Sequence, residues 1–166
     1  MKDFDRTGLQ LCSLQAETFE KSVSCVDTSS EIFIRRFMNS DLAKLIDNKA
    51  ILMMNYRPDD LLEQIEEQYG KSSYGSVKYR LDEMYWIGYI YRYYSYTYEL
   101  SSVQIYKKIK PKELRRLYAP YHTLDPSQAI ERILEAKGEI RNEEEELKRQ
   151  YTIFCDVRNS YHAGKH

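Results

Sequence analysis

Few side-chain pairings in this chain could do chemistry. Arg116 and His122, with five residues between them, could act together on a phosphodiester, the arginine steadying charge while the imidazole moves a proton. Arg115, one residue earlier, offers the same pairing. A loop His122 bonding locally beside surface arginines is the competing reading. Arg158 and His162 stand too close in sequence to repeat the pattern, with three residues between them. His162 and His166 are four apart and could grip a metal, but a tail end with nothing to tether it makes a poor site. There is no G-x-G-x-x-G, phosphate loop, G-x-S-x-G or H-E-x-x-H, and no Asp/Glu pair in an apolar setting. The expectation is a chain without enzyme activity, cofactor or metal.

Two stretches point to binding instead. KKIKPKELRR sets Lys107, Lys108, Lys110, Lys112, Arg115 and Arg116 against a single acid, Glu113. Such a patch could follow nucleic-acid phosphates, with Tyr106 and Tyr118 placed to stack on bases, or meet an acidic protein surface. A pair of solvated helix faces explains it equally well. LDEMYWIGYIYRYYSYTYEL carries seven tyrosines and the only tryptophan, side chains with a stiff apolar body and a polar tip. That profile suits recognition surfaces and also a core whose edges are wet. Arg92, between Tyr91 and Tyr93, could stack on its neighbours or hold a carboxylate or phosphate.

The elements that must position these residues read as helices with clear stops. An opening helix runs from about Gly8 to Ser24, with Leu11, Leu14, Ala16, Phe19 and Val23 at helical spacing. Thr28 and Glu31 have capping-box spacing before EIFIRRFMN. Ser40-Asp41 offers a fresh cap, so this region is two helices or one bent helix. Arg57-Pro58-Asp59-Asp60 starts a helix that Gly70 stops. AILMMN, 50–55, is a strand or a buried helix end. KSSYGSVKYR alternates like a strand, so a small two-stranded ribbon with AILMMN is the one strand alternative. The Tyr-rich stretch is too long for a strand and apolar nearly all round, which predicts a central buried helix. Ser101-x-x-Gln104, Pro111 and Asp125-Pro126 start three more helices, with Gly138 closing the last of them. Glu143 to Glu146 read as a solvated helix face. The expected architecture is mainly α: one domain over 1–166, a multi-helix bundle around the Tyr-rich helix, with 139–166 a C-terminal helical extension.

Composition narrows the function classes. The chain has 166 residues, and 25 Lys and Arg against 26 Asp and Glu give a net charge of -1. A near-neutral chain has no global field to draw it to nucleic acid or an anionic membrane, so any such binding needs a local patch. No window approaches the about 18 uncharged apolar residues of a membrane span, and MKDFDRTGLQ lacks an apolar signal core. Cys12, Cys25 and Cys155 are odd in number and widely spaced, as free thiols in a reducing cytoplasm would be.

The strings SEIFIRRFMNSDLAKLID, EQIEEQYGKSSYGSVKY, EMYWIGYIYRYYSYTYELSSVQIYKKIKP and LYAPYHTLDPSQAIERILEAKG resemble a family of small bacterial proteins of toxin–antitoxin operons. Those operons set the gene beside one for an ADP-ribosyltransferase-like toxin. The resemblance covers Ser30 to Gly138 and implies an antitoxin that masks its cognate toxin by protein contact, with no functional residues to carry over. Interfaces of that kind use aromatic and arginine anchors, which nominates Arg35, Arg36, Arg92, Tyr93 and Tyr94, with core packing as their alternative. The Arg116–His122 spacing is also similar to the Arg-x(4–6)-His element of HEPN-class ribonucleases. It departs from that element in having Pro120 inside it, away from a helix start.

Overall fold

The computed structural model describes residues 1–138 and 143–163, and side chains over 1–138 and 147–160. His162, His166 and the acids Glu143 to Glu146 lie outside the described side chains. The Tyr-rich stretch Leu81–Tyr98 is one α-helix of 18 residues, here α5. Asp82 and Glu83 set negative charge at its positive end, and Glu83 Oε1 accepts the Arg80 backbone N–H at 3.1 Å. Between Glu83 and Thr97 only Tyr85 and Tyr89 are half-buried, and the remaining side chains are buried. A helix apolar nearly all round has partners nearly all round.

Its main partner is α1 (Arg6–Cys25), which lies along it. Asp5 begins α1 by accepting the Gly8 N–H at 2.9 Å and also takes the Tyr96 hydroxyl at 2.6 Å. The two helices approach closely at Gly88. A Cβ there would sit 2.9 Å from Phe19 Cγ and 3.0 Å from Ala16 Cα. The other elements of this part are α2 (Ser30–Met38), α3 (Asp41–Asp47), α4 (Pro58–Tyr69), α6 (Ser102–Lys108) and α7 (Pro111–Tyr121). Ser40 Oγ accepts the Ala43 N–H at 3.0 Å, so α2 and α3 are two helices with a fresh cap between them. α4 packs on α1, α6 and α7 pack on α5, and α2 touches α4, α6 and α7.

The described residues contain no strand, and the two-stranded ribbon is corrected. Ala50–Met53 is a short 3-10 turn, and the chain over 70–80 is an irregular loop. Its backbone groups bond to the start of α2 instead of to a partner strand. Ser29 N–H donates to Tyr74 O at 3.1 Å, Ser30 N–H to Val77 O at 3.0 Å, and Tyr79 N–H to Ser30 Oγ at 2.9 Å. The helix cap is also one residue later than the sequence suggests. Ser29 Oγ accepts the Ile32 N–H at 3.3 Å, leaving Thr28 outside the cap. Gly75 holds this latch at φ 78°, and a Cβ there would lie 2.7 Å from Ser29 Cβ. Gly75→Ala is therefore expected to lower unfolding free energy by about 1–3 kcal/mol in urea denaturation.

The chain forms two compact units, 1–126 and 127–166. In the second, α8 (Pro126–Ala136) buries Ala129, Ile130, Ile133 and Leu134 at helical spacing, and α9 (Glu143–Ala163) exposes Leu147, Tyr151, Phe154 and Val157. The fold is mainly α, built around the Tyr-rich helix. Among the described residues no helix is long and apolar enough to cross a membrane.

Candidate functional site

The basic stretch KKIKPKELRR is shaped by its own punctuation. Ser101 Oγ and Gln104 Oε1 form a reciprocal capping box that starts α6, and Ile105 and Ile109 turn inward. The Tyr91 hydroxyl of α5 donates to Ile109 O at 2.6 Å and fixes the link between α6 and α7. Pro111 then starts α7 at a position that needs no N–H, burying itself and Leu114. Lys110, Lys112 and Arg116 are left exposed, with Arg115 half-buried.

α2 meets this face with its own basic side. Phe33, Ile34, Phe37 and Met38 point inward, so Arg35 is exposed on the opposite side. The result is a trough of two adjoining hollows. The first, about 290 Å³, is lined by Glu31, Ile32, Arg35, Tyr106, Lys110, Pro111 and Lys112. The second, about 550 Å³, is lined by Glu31, Val77, Tyr79, Lys112, Arg115 and Arg116. Glu31 and Lys112 border both, and Glu31 is the only acid in either lining.

Glu31 is itself occupied, since its Oε1 accepts the Tyr79 hydroxyl at 2.8 Å. Burial, and then that bond to a carboxylate, push the Tyr79 phenol well above its ordinary pKa. Arg115 lies over the Tyr79 ring, 4.3 Å from its centroid, and its Nε donates to Glu83 Oε2 at 3.2 Å. Lys110 sits over Tyr106 at 4.1 Å. Burial raises the Tyr106 pKa as well, against the lowering influence of Arg35. Each of the two rings thus already carries one of the protein's own cations over a face. The trough offers charge and hydrogen-bond donors to carboxylates or phosphates.

The structure joins residues that the sequence assigns to two different roles. Arg35, a nominated partner anchor, shares the first hollow with Lys110 and Lys112 of the basic stretch. Lys107 and Lys108 are exposed on α6 but line neither hollow. Arg36 faces elsewhere, donating to Gly70 O at 3.0 Å and lying 5.5 Å from the Tyr69 ring centroid. Val77, Tyr79 and Glu31 complete the trough; the alternation of KSSYGSVKYR puts Val77 and Tyr79 on one side.

Arg92, Tyr93 and Tyr94 are corrected as surface anchors, because all three are buried and Arg92 is only 1% exposed. Its guanidinium is held from within. Nε donates to Gln15 Oε1 at 2.9 Å, one terminal nitrogen to Asp47 Oδ1 at 2.6 Å and Ser95 Oγ at 3.2 Å, and the other to Ser102 Oγ at 2.8 Å. Asp47 Oδ2 takes the Ser102 N–H at 3.0 Å, so one buried cation ties α1, α3, α5 and α6 together.

The Arg–His pairing is not gathered into one hollow. α7 continues through Pro120 to Tyr121, which displaces the expected break to His122. The His122 ring stacks on Tyr118 at 4.4 Å, with Nδ1 2.8 Å from Tyr118 O. It lines a separate hollow with Glu20, Asp82, Tyr85, Trp86, Tyr89 and Tyr118, whereas Arg115 and Arg116 line the trough. Cys12 is buried, which pushes its thiol up to about 12, while Cys25 is exposed. Among the described residues no group of three or more His, Cys, Asp or Glu stands together to hold a metal ion. No protein-family model, curated protein or solved structure matches the chain.

Proposed function

We propose that this chain is a non-enzymatic protein-interaction module, an antitoxin that neutralises a cognate toxin by docking an acidic surface of it in the trough between α2 and α7. The observation that carries the reading is the collection of Arg35, Lys110, Lys112, Arg115 and Arg116 around one occupied acid. Opposite charges across an interface steer encounter and fix register, and arginine anchors are frequent at interface centres. The toxin–antitoxin resemblance supplies the partner class, an ADP-ribosyltransferase-like toxin. Three free cysteines are in keeping with work in a bacterial cytoplasm.

Nucleic acid is the second reading, favoured by the same five cations. The cations already over the rings of Tyr79 and Tyr106 weigh against it, because single-strand binders use exposed aromatic faces. Co-expression with the product of the adjacent gene distinguishes the two. The antitoxin reading expects growth to be rescued and both proteins to purify together; failure of both rejects it. The nucleic-acid reading expects filter-binding affinity for single-stranded RNA to fall with salt at a log–log slope of about -3.5, as five phosphate contacts would give. Negligible binding at low salt removes it.

A further inference from the structure

From Glu83 to Thr97, α5 is buried except at Tyr85 and Tyr89. Both line the hollow that His122 also borders, about 480 Å³ in volume and within the about 300–1,000 Å³ of small-molecule sites. Three helices meet around it: α5 supplies Tyr85, Trp86 and Tyr89, α7 supplies Tyr118, and α1 supplies Glu20. Tyr85 and Tyr89 stack with centroids 6.5 Å apart and planes at 23°. Trp86 and Tyr118 meet edge to face at 5.9 Å and 80°. Rings from two helices thus border one space at differing angles.

Among the described residues, the chain's own cations stand over the rings of Tyr69, Tyr79, Tyr96, Tyr106 and Tyr118. None stands over Tyr85, Trp86 or Tyr89. The charge around these three rings is negative, and no Lys or Arg lines the hollow. Asp82 is taken by Arg80 at 2.6 Å and by the Tyr118 hydroxyl at 2.9 Å. Glu20, exposed on α1, and Glu17, one turn before it, make no ion pair among the described residues. Burial, then Glu17 and Glu20, push the Tyr85 phenol up, and burial above all pushes Tyr89 up to about 12. No cation offsets either shift, in contrast to Tyr79 and Tyr106, where an arginine does.

We propose that this hollow binds a small quaternary ammonium solute of the choline type, with its methyl groups against the rings of Tyr85, Trp86 and Tyr89 and its charge toward Glu20. Ring faces attract a cation, and tryptophan and tyrosine do so best. A primary ammonium brings three N–H donors that need acceptors, whereas a quaternary one brings none and presents only methyl groups to the rings. The Glu20 carboxylate adds Coulomb attraction without having to form a hydrogen bond. The site is separate from the trough and does not depend on the antitoxin reading.

Trp86 is the only tryptophan in the chain, so its fluorescence reports on this hollow directly. Titration of the full chain with choline should give a saturable change in emission. Ethanolamine, the primary amine, and the neutral isostere of choline with carbon in place of nitrogen should both bind more weakly. Tyr85→Leu should weaken choline about fivefold or more, whereas Tyr85→Phe, which keeps the ring, should bind like the wild type. Glu20→Gln should weaken it about threefold; Glu20 is exposed, so this variant keeps the fold. Phosphatidylcholine vesicles separate a free solute from a lipid headgroup, and a response to vesicles alone overturns the proposal. So do absent saturation, equal affinity for ethanolamine or the neutral isostere, loss of binding in Tyr85→Phe, or wild-type binding in Glu20→Gln or in Tyr85→Leu.

Discussion

Arg92→Ala is expected to cost about 3–5 kcal/mol of unfolding free energy, the loss of a fully buried side chain together with its ion pair to the half-buried Asp47. The size follows from what is left behind. Asp47 Oδ1 keeps the Ser102 hydroxyl at 2.6 Å but loses its cation, and Gln15 Oε1 loses the donor 2.9 Å away. A cavity as long as an arginine also opens in the interior, since Arg92 is fully buried. Arg92→Lys should recover little, because an ammonium cannot reproduce the fork that reaches Gln15, Asp47 and Ser102 together. Adding Asp47→Asn to Arg92→Met should cost less than the two single changes summed, since the double variant leaves no uncompensated charge. Urea denaturation of these five variants reads all of this. An Arg92→Ala loss below about 1 kcal/mol, the range of surface ion pairs, would show that the residue is not the interior tie described above.

Gly88→Val should have the next largest effect, a loss of about 3 kcal/mol or more. Alanine in place of glycine would ordinarily favour a helix by about 1 kcal/mol. Here the added atom meets Ala16 Cα and Gln15 O at 3.0 Å, and these are backbone atoms that cannot rotate away. Valine adds two methyl groups to the same gap, so α1 and α5 must separate. The Gly88 carbonyl also accepts the Gln15 side-chain N–H at 3.0 Å, and Gln15 in turn holds Arg92. The Gly88 and Arg92 variants should therefore combine non-additively. A Gly88→Val protein with wild-type stability would mean that the two helices do not rely on this close approach.

Where the sequence carries local chemistry, it is a good guide to this fold. The Ser101–Gln104 box, Pro58, Pro111 and Gly70 each start or stop a helix where their type and spacing suggest. The Tyr-rich helix is legible from its length and its apolar circumference. The misreadings arise where distant segments compete for the same group. Glu31 has the spacing to cap Thr28, yet the Tyr79 hydroxyl claims it, and the latch of 74–79 on Ser29 and Ser30 replaces the ribbon. Arg92 among tyrosines looks like a surface anchor because nothing nearby in sequence reveals Gln15, Asp47 and Ser102 as its partners. The trough was half legible, with its α7 cations in one string and Arg35 far from them in the chain.

The trough is the part of the proposal most open to a direct measurement, which is the affinity of the purified chain for the purified product of the adjacent gene. Lys110→Glu, Lys112→Glu and Arg116→Glu combined should weaken it about 100-fold or more, since like charges facing each other across an interface cost several kcal/mol. All three residues are exposed, so helix content and melting temperature should stay close to wild type. Unchanged affinity in the folded triple variant would contradict docking at this face.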